Sequence, residues 1–149
     1  RLRRLPALHV LDLLFLGTPL AIAIRRVGCL LSRCCPGKLT DNRLICALTG
    51  DDVGTHPFAL YMILLNLAIF AVLLILNRRR REPGTVMSRF LILYLSGRFF
   101  VEYFRLEPPV AGFSVITHPQ LIILILLPVV MTLHILLRQC NSVHKRKVT

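Results

Sequence analysis

The chain has no tryptophan and little acid: seven Asp and Glu stand against nineteen Lys and Arg, a net charge of +12 over 149 residues. It is sparing of charge altogether. Only 17% of residues are charged while 55% are hydrophobic, and the mean hydropathy is +0.68, a balance foreign to a water-soluble globular domain. A nucleic-acid binder of this charge would interleave aromatics with its basic residues on a folded surface. Here most of the eight Phe lie in apolar stretches and the basic residues gather at the ends of those stretches, the pattern that orients membrane helices. Metal-ligand spacing is also missing. Cys29, Cys34 and Cys35 fall within seven residues, yet no paired CxxC or His-bearing spacing accompanies them, so small buried thiols are expected rather than a zinc site. A disulfide from Cys46 to Cys34 or Cys35 stays open. The first residue is Arg1, with no Met and no cleavable-signal pattern after it. The start therefore reads as a positively flanked entry into a helix and the chain as part of a longer one.

Four apolar windows approach the roughly 20 residues that cross a hydrocarbon core of about 30 Å: Ala7 to Ile24, Phe58 to Leu76, Val86 to Phe104 and Pro119 to Leu137. The expectation is an all-α, polytopic integral membrane protein in a single membrane domain, with an outward-facing loop region between the first two spans. Arg1, Arg3 and Arg4 precede the first window, Arg78 to Arg81 follow the second, and Arg138, Lys145, Arg146 and Lys147 follow the fourth. Alternation across four spans puts these three segments, and the carboxyl terminus, on the cytoplasmic side. Arg25 to Pro57 and Arg105 to His118 then face outward. The cation excess in the first of these suits anionic lipid headgroups.

The third window carries Tyr94, Arg98, Glu102 and Arg105, spaced four, four and three residues apart on one helical face. Ionisable groups inside a span cost several kcal/mol unless paired or facing a polar cavity, which marks the stripe as a functional site. The plainer alternative is a self-neutralising Arg98–Glu102 pair with Arg105 reaching to the interface. Arg98 lies roughly 18 Å along its helix from the cytoplasmic start, just past the midplane. Its planar fork there suits the phosphate of an outer-leaflet lipid. Asp12, Asn66 and His134 are scattered over the other windows and read as interhelical hydrogen bonds or, for His134 near Arg138, as interfacial.

In order and spacing these blocks resemble a known family, the prolipoprotein diacylglyceryl transferases of bacterial inner membranes. The block Arg26-Val27-Gly28-Cys29 through Pro36-Gly37-Lys38 is similar to the family's Arg-hydrophobic-Gly-Asn/Cys to Tyr/Trp-Gly-Arg signature. His56-Pro57-Phe58-Ala59-Leu60-Tyr61-Met62 is similar to its His/Tyr-Pro-x-x-Leu-Tyr-Glu, and Tyr94 to Arg105 to its Tyr-x-x-x-Arg-Phe-x-x-Glu-Phe/Tyr-x-Arg. Gln120 opens the last span as expected. Departures are Arg33 for a small residue, Pro36 for an aromatic and Met62 for a glutamate; the family's three upstream spans and their His-Gly block have no counterpart in these residues.

The resemblance implies the carboxyl-terminal part of a seven-span inner-membrane enzyme that transfers diacylglyceryl from phosphatidylglycerol to the lipobox cysteine of a prolipoprotein signal peptide. Glycerol phosphate is released without metal or other cofactor, and nucleic acid is no partner. Arg26 and Arg98 are expected to hold the phosphate, Glu102 to orient Arg98, and Arg105 to guide headgroups. Gly28, Gly37, Tyr61, Tyr94 and His56 are expected around the substrate, His56 either as a base or as an ordinary helix-start residue. The acceptor thiol belongs to the partner, so Cys29, Cys34 and Cys35 need not be nucleophiles. A non-catalytic lipid-binding subunit, which keeps the arginines, and a small transporter, which lines several spans with polar groups, are the competing classes.

Overall fold

The computed structural model describes residues 7–34, 37–40, 42, 44–45, 54–78, 84–105 and 117–148. Four long helices hold most of them: α1 (Ala7–Leu31), α2 (Phe58–Leu76), α3 (Thr85–Glu102) and α4 (His118–Val148). α1, α2 and the His118–Leu136 part of α4 are long and apolar enough to cross a membrane. α3 has 18 residues, enough for about 27 Å at 1.5 Å per residue, but it carries Arg89, Arg98 and Glu102. The protein is thus an all-α, multi-pass membrane protein.

The packing explains how α3 carries those charges. α1 lies along α2 and α4 along α3, while α3 also touches α1 and α2, so it alone contacts the other three. Its residues 91–99 are all half-buried, whereas α1, α2 and α4 turn Leu13, Ile24, Leu64, Ile75, Ile125 and Leu136 outward. Acyl chains cover such side chains in a bilayer, and the charges stay on the helix that neighbours shield. Ile69, Leu73 and Phe90 form a buried core joined by Phe15, Leu16, Ile22, Leu65 and Tyr94. Lipid is as apolar as Leu, so this core is held by close fit rather than by escape from water.

Two helices run beyond their apolar windows. α1 continues past Ile24 to Leu31, so Arg25, Arg26 and Gly28 are helical and the loop begins seven residues later than the hydropathy suggested. Arginine is a good helix former; it ends an apolar run without ending a helix. α4 likewise continues past Leu137 to Val148. α3 stops two residues short of Phe104, which lies in a turn closed by the Arg105 N–H on the Glu102 carbonyl at 3.0 Å.

Each end of the bundle is tied. At one end the extended residues 37–40 run between two neighbours: the Gly37 N–H donates to the His56 carbonyl (3.1 Å), the His56 N–H to Lys38 (2.9 Å), and the Lys38 N–H to Phe104 (2.9 Å). Gly37 bridges antiparallel to Arg105, and Leu39 to Thr55. At the other end the Asp12 carboxylate, buried in α1, accepts from the backbone N–H groups of Gly84 (2.8 Å) and Met87 (2.9 Å). These are the N-cap residue and third residue of α3, the donors that a local capping box would satisfy. Nearby, Ser88 and His134 Nδ1 are 2.7 Å apart, and Arg89 donates to the Asn77 side chain.

Candidate functional site

The stripe on α3 folds as its spacing requires. Arg98 Nη2 lies 2.8 Å from Glu102 Oε2, and Arg105 Nη1 lies 3.3 Å from Glu102 Oε1. Glu102 is wholly buried and the Arg98 side chain nearly so. The carboxylate therefore grips two guanidiniums, one about a turn before it and one about a turn after it, and it sits where desolvation strengthens both contacts.

Arg26, 72 positions before Arg98, arrives at the same place from the last turns of α1. The guanidinium carbons of Arg26, Arg98 and Arg105 lie 5.6, 5.2 and 5.5 Å from the centroid of one ring, that of Phe58. No two of them can be farther apart than the sum of their distances to that centroid. Phe58 opens α2 and is 1% exposed. Arg98 also points Nη1 at the thioether of buried Met62 (3.3 Å), one turn along α2. Three cations and one carboxylate from α1, α3 and the turn after α3 are thus assembled against the start of α2. Planar guanidinium forks gathered in a shielded site suit the oxygens of a phosphate, which they bind in pairs of parallel hydrogen bonds.

The remaining expected residues divide into four groups. Gly37 lies against the site's outer face: a Cβ there would stand 2.5 Å from the His56 carbonyl oxygen and 2.8 Å from that of Phe104. His56 and Tyr61 are neighbours, with 3.0 Å between Nδ1 and the phenol oxygen, and both rings rest against Phe104 at 5.2 and 5.4 Å. Tyr94 lies one turn deeper than Arg98, stacked on Phe90 at 5.5 Å in the apolar core. Gly28 stands apart, within α1 and with nothing inside 4 Å of a Cβ built on it.

Several other expectations change. Cys34 is exposed rather than buried and Cys29 is half-buried; Cys35 and Cys46 fall outside the described residues. Asn66 donates to the Met62 carbonyl of its own helix, not to another helix. His134 binds α3 through Ser88 instead of serving only the interface. Among the described residues no cluster of three or more His, Cys, Asp or Glu is placed to hold a metal.

Some contributors had no sequence signature. Phe58 is one of eight Phe, and nothing in the spacing singles it out as the ring beneath the arginines. Gly97 precedes Arg98, and a Cβ on it would run into the Leu65 side chain; a small residue inside a charged span was the available hint. Gln120 was noted only as a motif residue. It is buried, accepts from the Thr117 N–H (3.0 Å) at the start of α4, and reaches the Phe99 carbonyl beside Arg98 at 3.5 Å.

A family model described as prolipoprotein diacylglyceryl transferase matches residues 1–136. The chain is 33% identical over 106 residues to phosphatidylglycerol–prolipoprotein diacylglyceryl transferase 2 of Clostridium perfringens, covering 68% of this chain and 41% of that protein. It is 34% identical over 114 residues to the phosphatidylglycerol–prolipoprotein diacylglyceryl transferase of a Janthinobacterium species, covering 74% and 43%. With its counterpart in Methylibium petroleiphilum the identity is 35% over 106 residues, covering 68% and 40%. The chain spans about two fifths of the length of these curated relatives. No solved structure matches it.

Proposed function

The chain belongs to the prolipoprotein diacylglyceryl transferase family, and from that premise we propose that its four helices are the phosphate-binding, carboxyl-terminal part of an enzyme that lipidates prolipoproteins. The acceptor cysteine sulfur forms a bond to the glycerol carbon bearing the phosphate ester of phosphatidylglycerol. That carbon–oxygen bond breaks, glycerol phosphate leaves with the electron pair, and the thiol proton passes to a base. The observation that carries this reading is the convergence of Arg26, Arg98 and Arg105 on one buried ring, with Glu102 fixing two of them.

Charge grows on the departing phosphate as the bond breaks, and preorganised cations in a water-poor site stabilise it without reorganising. Arg26 and Arg98 take the phosphate oxygens, Glu102 holds Arg98 to its task, and Arg105 stands at the outer rim to receive headgroups. Gly37, His56 and Tyr61 line the approach, Tyr94 backs Arg98 from the apolar core, and Gly28 is the weakest member of the set because nothing lies within 4 Å of a Cβ built on it. The partners are phosphatidylglycerol and a lipobox signal peptide in a bacterial inner membrane, with the carboxyl terminus in the cytoplasm. Further spans complete the active domain in this reading, supported by the two-fifths coverage of the relatives. The same coverage favours one second reading, a subunit that binds lipid without turnover.

The test is transfer of labelled diacylglyceryl from phosphatidylglycerol to a lipobox peptide in proteoliposomes, with this chain, an upstream-extended version, and Arg98→Ala in the active one. Lipidated peptide that disappears with Arg98→Ala supports the transferase. Lipid binding without product from either version leaves the binding subunit.

A further inference from the structure

Gathering three like charges in a membrane requires something to hold them together, and Glu102 makes ion pairs with two of them, Arg98 and Arg105. We propose that Phe58 is the positioning residue of the phosphate site: its ring is a shared cation–π platform that sets the spacing of Arg26, Arg98 and Arg105 while preserving their charge for a lipid phosphate. This rests on the phosphate-site reading above and adds a part to it.

The argument is one of chemistry and place. A second carboxylate at the position of Phe58 would also collect arginines, but it would cancel charge and accept the N–H groups that a phosphate needs. An aromatic face attracts guanidiniums within about 6 Å and does neither. All three distances, 5.2 to 5.6 Å, fall inside that range. The ring is held firmly: it is 1% exposed, follows Pro57, and its backbone N–H donates to the His56 carbonyl at 2.8 Å. The next turn of the same face presents Met62, fully buried, whose sulfur also lies against Arg98 at 3.3 Å. The Phe58 ring and the Met62 sulfur are both uncharged and polarisable.

The experiment separates the ring's electronics from its bulk. The full chain is purified in detergent and titrated with a short-chain phosphatidylglycerol, and again with the ring of Phe58 carrying one, two and three fluorines, which drain the face while nearly preserving shape. Affinity is expected to fall stepwise across the series, to about tenfold weaker for Phe58→Leu, and to return with Phe58→Tyr. Fluorinated proteins that bind as well as the parent would overturn the proposal even if Phe58→Leu binds poorly, because packing alone would then be at work. Arg98→Ala is run in parallel. If it binds the lipid as tightly as the parent, the phosphate site itself is refuted, and Phe58 with it. If only the fluorine series is flat, the site stands and the platform falls.

Discussion

Arg98 and Glu102 meet at 2.8 Å across one turn of α3, and the same carboxylate reaches Arg105 at 3.3 Å. Removing one partner of a buried pair strands the other charge, at a cost of about 3–5 kcal/mol. Glu102→Gln keeps the shape and removes the charge, so the unfolding temperature in detergent should drop clearly and transfer should fall at least about tenfold. An unchanged unfolding temperature would mean that the pair contributes no net stability.

Gly37 and Gly28 belong to one sequence block but should answer oppositely to alanine. At Gly37 the new Cβ meets backbone oxygens of His56 and Phe104, which cannot swing aside, so Gly37→Ala should disrupt the extended segment and the site with it. At Gly28 nothing is near, and inside a helix alanine is favoured by about 0.5–1 kcal/mol. Thermal unfolding of the two variants side by side decides this, and a destabilised Gly28→Ala would contradict it.

Arg33 has φ 49°, the left-handed conformation that closes many helices and that glycine adopts at least cost. A small residue, which the family resemblance led us to expect at this position, bears that conformation with less strain. Arg33→Gly should raise stability by about 0.5–1 kcal/mol, measured as a denaturation midpoint. A lower midpoint would show that the exposed arginine is worth more than its backbone strain.

Asp12 supplies from another helix the cap that α3 lacks locally. Asp12→Ala leaves one buried and one partly buried N–H group without their acceptor, about 1–3 kcal/mol in all. Asp12→Asn keeps a single acceptor oxygen and loses the favourable charge at the helix start, so it should fall between Ala and the parent. Unfolding temperatures in that order support the account; Asn as harmful as Ala would place the effect in charge alone.

How much of this was legible in the sequence depended on range. The Tyr94 to Arg105 stripe was readable because helical spacing is local, and the resemblance supplied Arg26 as its companion. The apolar windows marked membrane-compatible stretches, the one on α4 within a residue at each end, but not where α1 and α4 end as helices, since hydropathy reports the solvent and not where backbone hydrogen bonds stop. Phe58 beneath the arginines and Asp12 on the start of α3 were hidden for another reason. Each joins residues dozens of positions apart, and no periodicity encodes which aromatic or which acid will be the neighbour. His134 was misjudged similarly: Arg138 was close in sequence, while Ser88 was close in space.

The centrality of α3 also bears on how the protein is made. Charged residues cost about 2.5–3.5 kcal/mol each when a lone segment partitions at the centre of a bilayer, which makes α3 the segment that lipid would accept least readily alone. Synthesis runs in the helpful direction. By the time α3 emerges from the ribosome, α1 and α2 already exist, bringing the carboxylate that caps it and the ring that receives its arginines. Insertion and folding of α3 are then one event, and α4 follows to close the remaining flank.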